Sequence, residues 1–164
     1  MTAAYIGCAG WNVPRTMEAS VPTQGSRLER YAARLPAVEI DSSFHRSHRP
    51  STYARWAASV PSTFRFSVKL PRAITHQARL GPRESELKAF LDEIAPLGAR
   101  LGCLLAQFPP GLRFDVRAAR EFFGVLREGH AGAIATEPRH VSWFEPEADR
   151  LLRELDIARV QPAP

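Results

Sequence analysis

The chain reads as an α/β protein with about six parallel strands and five helices. Three observations predict this. Short apolar runs alternate with segments of helical period, a rhythm that implies parallel strands joined by helical crossovers. Connections that follow a strand are long (9–25 and 70–83) while those that lead back into one are short (35–36 and 97–100), which gathers the variable loops on one face. Finally, several strands carry charged residues at alternate positions, where a parallel sheet covered on both faces would be an almost unbroken apolar run.

In order, the strands fall at 4–8, 37–41, 63–69, 101–107, 132–137 and 157–160, and the helices at 26–35, 52–59, 84–97, 116–127 and 146–155. The first helix opens on Ser26 followed by Glu29, a capping box in which each side chain satisfies the other residue's backbone N–H. Ser51 offers a hydroxyl cap to the second. Pro146 stands in the first turn of the fifth, where a missing N–H costs nothing. The fourteen prolines, above the usual ~5%, fall mostly in the loops and stiffen them. With no Ser/Gly-rich linker breaking the rhythm, the expectation is one domain over 1–164.

At 164 residues, 45% hydrophobic and 24% charged, the chain has the composition of an ordinary globular domain that buries a core without disulfides or metal. Cys8 and Cys103 lie in separate apolar runs and are expected as buried free thiols, which suits a reducing cytoplasm. No stretch approaches 18 apolar residues and no leader pattern opens the chain, so neither a membrane span nor processing is expected. The net charge of +5 is carried almost wholly by arginine, Lys69 and Lys88 being the only lysines. The arginines are scattered rather than clustered, as solvated helix faces require, and form no basic tail. Phosphate-loop, serine-esterase, zinc-protease and C-x-x-C motifs are all missing, which disfavours those chemistries.

Alternation along a strand says what each face meets. In 63–69, Phe64, Phe66 and Val68 share one face and Arg65, Ser67 and Lys69 the other; in 37–41, Val38 and Ile40 oppose Glu39 and Asp41. If the sheet curls into a barrel, the apolar face meets the helices and Glu39, Asp41, Arg65, Lys69, Gln107 and Glu137 converge on one axis. The competing readings are an antiparallel sheet with one wet face and a structural ion-pair network. Position favours a site, because Asp41, Lys69, Gln107 and Glu137 close strands, and strand carboxyl ends are where barrel active sites lie. Beyond the fifth strand, Glu137, Pro138, Arg139 and His140, followed by Trp143, place an acid, an anion binder and a titratable ring together, against the alternative of a turn whose Trp packs into the core. His45 and His48, spaced i, i+3, would suit a metal only on a helix, and His76 lies in a long loop.

The stretches IGCAGW at 6–11, VEIDSSFHR at 38–46, FRFSVKLPRAITH at 64–76, LAQFPP at 105–110 and EPRHVSWF at 137–144 resemble, in order and over nearly the whole chain, the signature segments of the domain-of-unknown-function 72 family, the YecE-like proteins. The resemblance implies a TIM-like (β/α) barrel, bacterial and cytoplasmic, with no established reaction. It places shared polar residues at Glu39, Lys69, His76, Gln107, Glu137, Arg139, His140 and Trp143. Asp41 and His45 depart from the family's usual Asn and Tyr, adding a negative and a titratable group at the mouth. The family pattern also continues past the sixth strand, so the barrel is expected to be incomplete and C-terminally shortened, a length of about 250 residues being usual for eight strand-helix units.

The expected function is thus a barrel-mouth enzyme or binder of a small polar or anionic ligand. Glu39 or Glu137 would be the general base, Lys69 an electrostatic stabiliser or amine nucleophile, and His140 a proton shuttle beside the anion clamp Arg139. Asp41, Arg65, His76, Gln107 and Trp143 would complete the ligand site. A divalent Mg²⁺ or Mn²⁺ held by Glu39, Asp41, Glu137 and His140 is a variant. The alternatives are a nucleic-acid binder stacking bases on Trp11 and Trp143, and an inactive barrel that self-associates through its open edges.

Overall fold

Alternate apolar side chains decide which side of the sheet is covered. In the computed structural model, which describes residues 4–81 and 83–161, Val38, Ile40, Phe66, Val68, Leu104, Ala106 and Ile134 are buried on one face and join the helices in one continuous core. The strands are β1 (Gly7–Ala9), β2 (Ala37–Ile40), β3 (Arg65–Lys69), β4 (Leu101–Gln107), β5 (Ile134–Glu137) and β6 (Ile157–Arg159). They form one sheet in chain order, every pairing parallel. Between them run α1 (Arg27–Ala32), α2 (Pro50–Ala58), α3 (Glu84–Ile94), α4 (Val116–Gly129) and α5 (Pro146–Glu154). The parallel pairing excludes the antiparallel alternative. Among the described residues β1 and β6 are each paired on one side only, so the sheet is an open, six-stranded part of a barrel. The expected features at 1–3 and 162–164 lie outside the described residues.

Register fixes which residues meet on the uncovered, concave face. Glu39 stands opposite Ser67, Lys69 opposite Leu105, and Gln107 opposite Glu137. Between Phe66 and Ser67 the register slips by one, leaving Gly102 as the extra residue of β4. A Cβ there would stand 3.0 Å from the Arg65 Cβ, so the glycine permits this close approach.

Several boundaries differ from expectation for local reasons. The β1 pairing begins only at Gly7, opposite Ala37 at the start of β2, so Tyr5 and Ile6 remain exposed. The capping box forms as expected, Glu29 N–H donating to Ser26 Oγ at 3.3 Å and Ser26 N–H to Glu29 Oε2 at 2.7 Å. Ser51, by contrast, is not a cap. α2 starts two residues earlier than expected, with Pro50 in its first turn, Arg49 at the cap position and no side-chain cap, so Ser51 lies inside the helix. α3 gives way after Ile94 to a 3-10 segment, Ala95–Arg100, that contains Pro96 and the positive-φ Gly98. Both thiols are free, but Cys8 is exposed and Cys103 half-buried rather than fully buried. Cys8 lies on the edge strand, where one neighbour is absent.

Candidate functional site at the strand carboxyl ends

Lys69 is the last residue of β3, and its ammonium meets Glu39 Oε1 from β2 at 2.8 Å, the two side chains being 15% and 22% exposed. Glu39 Oε1 is buried and, apart from this ion pair, has no hydrogen-bond partner among the described residues. Ser43, in the 3-10 turn Ser42–Phe44 after β2, ties the two strand ends together. Its hydroxyl lies 3.0 Å from the Ile40 carbonyl and 2.6 Å from that of Lys69. The Phe44 ring lies 5.9 Å from the Lys69 ammonium and 5.0 Å from the His76 ring. His76 sits in a π-helical turn, Ala73–Gln77, with Nδ1 2.9 Å from the hydroxyl of buried Thr75. Burial, together with the cations Arg72 and Lys69, holds its imidazole below the usual histidine range. Asp41 is exposed just beyond β2, with its carboxylate over Gly10, 3.8 Å from where a Cβ would stand.

A second ion pair occupies the end of β5. Arg139 donates to Glu137 through Nε at 3.0 Å and Nη2 at 2.6 Å, both on Oε1, which leaves Oε2 outside the pair. Glu137 is 15% exposed and Arg139 47%, so the carboxylate is sheltered while the guanidinium stays open to solvent. Gln107 closes β4 directly opposite Glu137. His140 Nδ1 takes the Ser142 backbone N–H at 3.2 Å. Since an N–H can only donate, Nδ1 is the acceptor and the neutral ring carries its proton on Nε2. Ser142 Oγ, 2.8 Å from the same nitrogen, also accepts the Phe114 N–H at 2.8 Å.

The strand ends therefore bring together Glu39, Lys69 and His76 on one side and Gln107, Glu137 and Arg139 on the other, with Asp41 and His140 at the rim. Two expected ligand-binding residues do not join them. Arg65 lines a hollow on the concave face together with Glu39, but it begins β3, four residues from the strand carboxyl ends, and its guanidinium donates to the Ser62 and Phe64 carbonyls at 2.9 Å. At about 3.3 Å per residue it is ~13 Å from Lys69; alternation finds the face but not the end. Trp143 is fully buried, stacked on Phe108 and donating from Nε1 to the Leu112 carbonyl at 2.9 Å. It is a core residue and cannot stack on a base. Trp11, the other expected stacking group, packs edge-on against Trp56 at 5.0 Å.

Nor is the divalent-metal variant assembled. Among the described residues no three His, Cys, Asp or Glu side chains gather as a metal site requires. Glu39 faces Lys69, Glu137 faces Arg139, and His140 Nδ1 is occupied by Ser142. His45 and His48 part as well, His48 hydrogen-bonding Ser42 at 2.8 Å between Tyr53 and Trp56 while His45 stays exposed. Sequence reasoning passed over Ser43, Phe44, Thr75 and Ser142. The signal was weak, since only the tertiary contacts distinguish them from ordinary loop residues.

Comparison with known proteins places this geometry in context. The model of the family described as "Protein of unknown function DUF72" matches residues 5–162. The UPF0759 protein YunF of Bacillus subtilis is 30% identical over 152 residues, covering 87% of this chain and 52% of that protein. The UPF0759 protein YecE of Escherichia coli K12 is 30% identical over 105 residues, covering 64% of this chain and 37% of that protein. The chain thus spans about half the length of the Bacillus relative. A crystal structure of a DUF72 family protein from Enterococcus faecalis V583 superposes with a TM-score of 0.77 at 22% identity, over 98% of this chain and 64% of that one. One from Thermotoga maritima MSB8 gives 0.74 at 26% identity, over 94% and 63%. These likenesses carry the TIM-like fold and name no reaction. Among the described residues no helix is long and apolar enough to cross a membrane.

Proposed function

Since the chain belongs to the DUF72 family of proteins of unknown function, we propose that its strand-end mouth binds a small polar anion and transfers a proton on it. The Lys69–Glu39 pair carries this reading. Opposite charges sit 2.8 Å apart and largely covered, on the hollow face. The pair joins the ends of two neighbouring strands, and so sets an acid and a base where barrel active sites lie. Arg139, the more exposed member of the second pair, orients the anion, and Lys69 stabilises charge that develops on it. Glu39 or Glu137 accepts the proton. His76, neutral near pH 7, serves as a second acceptor, while His140 Nε2–H and Gln107 donate hydrogen bonds. The free thiols suit a reducing cytoplasm.

Inorganic phosphate is the probe. A ¹⁵N-edited titration should move the Gln107 side-chain amide and Arg139 Nε, and Lys69→Met or Arg139→Gln should each weaken binding about tenfold. Phosphate shifts that are absent from these groups, or unchanged in both variants, would refute the reading.

A further inference from the structure

A second hollow, of about 500 Å³, lies outside the sheet between the segments that follow β2 and β3 and the flank of α3. Its size is that of an ordinary small-molecule site. Its accessible apolar surface comes from half-buried Phe44 and Pro71 and from exposed Ala73 and Ala89, over a floor closed by buried Ile74 and Phe90. Two guanidinium groups, Arg46 and Arg72, line it from exposed positions, and neither side chain makes a hydrogen bond or ion pair with the described residues. Of the two carboxylates in the same lining, Glu86 is neutralised by Arg83 at 2.7 Å and also accepts from Ser85 at 2.7 Å, while Glu93 accepts the hydroxyl of Ser47, itself part of the lining, at 2.6 Å and keeps its charge. Two guanidinium groups without ion-pair partners thus stand against one unneutralised carboxylate, which leaves the lining with an excess of positive charge. The turn that supplies Ile74 is π-helical, a local departure from α-helix geometry that recurs at functional positions.

We propose that this hollow is a separate binding site for an organic monoanion with a flat apolar body, an aromatic carboxylate being the simplest member. The ring lies on Phe44, Pro71, Ala73 and Ala89, where it removes apolar surface from water. The carboxylate is held by Arg46 and Arg72, whose planar donor forks match its two oxygens. An inorganic anion fits less well, since it would leave the apolar surface of Phe44, Ala73 and Ala89 wet, and a neutral ring would leave both guanidinium groups unpaired. The site does not rest on the reading of the strand-end mouth, because it uses neither ion pair there.

The test is a calorimetric and ¹⁵N-edited titration of the intact chain with 1-naphthoate, with 1-naphthalenemethanol as the uncharged control. Naphthoate should bind and shift amides of Ala73, Ile74 and Phe90, and the alcohol should bind at least about tenfold more weakly. Arg46→Gln and Arg72→Gln, both at exposed positions, should each weaken naphthoate about tenfold without lowering the thermal midpoint. Arg139→Gln should leave naphthoate binding unchanged, which separates this site from the mouth. The proposal is overturned if naphthoate does not bind, if the alcohol binds equally well, if neither arginine variant weakens binding, or if Arg139→Gln abolishes it.

Discussion

Replacing Lys69 with Met removes the ammonium while keeping most of the side-chain volume, and so isolates the charge that faces Glu39. Exposed ion pairs contribute about 0.2–1 kcal/mol, whereas breaking a buried pair costs about 3–5 kcal/mol because a charge is left uncompensated. With side chains 15% and 22% exposed, this pair lies between those limits. Water reaches both partners, but Oε1 has no hydrogen bond to fall back on. A loss of about 2 kcal/mol follows. For a chain of this size that is a fall of about 4–8 °C in thermal midpoint. The assay is urea unfolding followed by circular dichroism, where the midpoint should drop at unchanged slope, showing that the unfolding event itself is the same. Glu39→Gln should soften the defect, so that Lys69→Met combined with Glu39→Gln costs about 1 kcal/mol less than the sum of the single changes. A loss below about 0.5 kcal/mol together with additive single effects would show that the two groups do not sense each other, and would remove the observation on which the proposed mouth chemistry stands.

Trp143→Ala should destabilise by about 3–5 kcal/mol through the cavity it leaves against Phe108 and Phe114; a variant with native stability would return Trp143 to the surface. Gly7→Ala should free β1, since a Cβ there would stand 2.1 Å from the Ala37 carbonyl oxygen. Hydrogen exchange should then speed up at Gly10, whose N–H is bonded to the Glu39 carbonyl at 2.9 Å, and stay slow in β3 to β5; unchanged protection at Gly10 would contradict this. His48, His76 and His130 all have their pKa values lowered chiefly by burial. A folded-state value below the unfolded one favours the neutral ring, so this stability is complete above pH ~6.5 and is lost as pH falls through the folded-state values. Thermal midpoints should decline on acidification in that window, and Arg72→Gln should raise the His76 value in an NMR titration. A His76 that titrates at or above 6.5 in the unaltered protein would refute the assigned environment.

Much of the fold was legible because the signals are local. The Ser26–Glu29 box, Pro146 and the period-2 alternation of 37–41 and 63–69 each act within a few residues, and the resulting elements appear in the expected order. Misplaced boundaries trace to pairing rather than propensity: β1 begins where a partner exists, not where apolar residues begin. For the candidate site, alternation correctly separated Glu39, Lys69, Gln107 and Glu137 from the apolar face, because side-chain direction in a strand is a property of the backbone alone.

Distance across the mouth and the turn of a side chain are not local quantities. Arg65 shares a face with Lys69 and its place four residues back follows from the strand itself, but only the structure shows its guanidinium turned to the Ser62 and Phe64 carbonyls. Trp143 sits in the same short segment as Arg139 and His140, but the packing of Phe108 and Phe114 draws it into the core. Sequence alone determined the α/β class, the Ser26–Glu29 capping box and the charged face, all of which follow from chain geometry over a few residues. Tertiary structure alone decided which charges pair, that His140 is committed to Ser142, and that Arg46 and Arg72 border a hollow without an ion-pair partner among the described residues. Those outcomes depend on contacts between segments far apart in the chain, and periodicity carries no information about such distances.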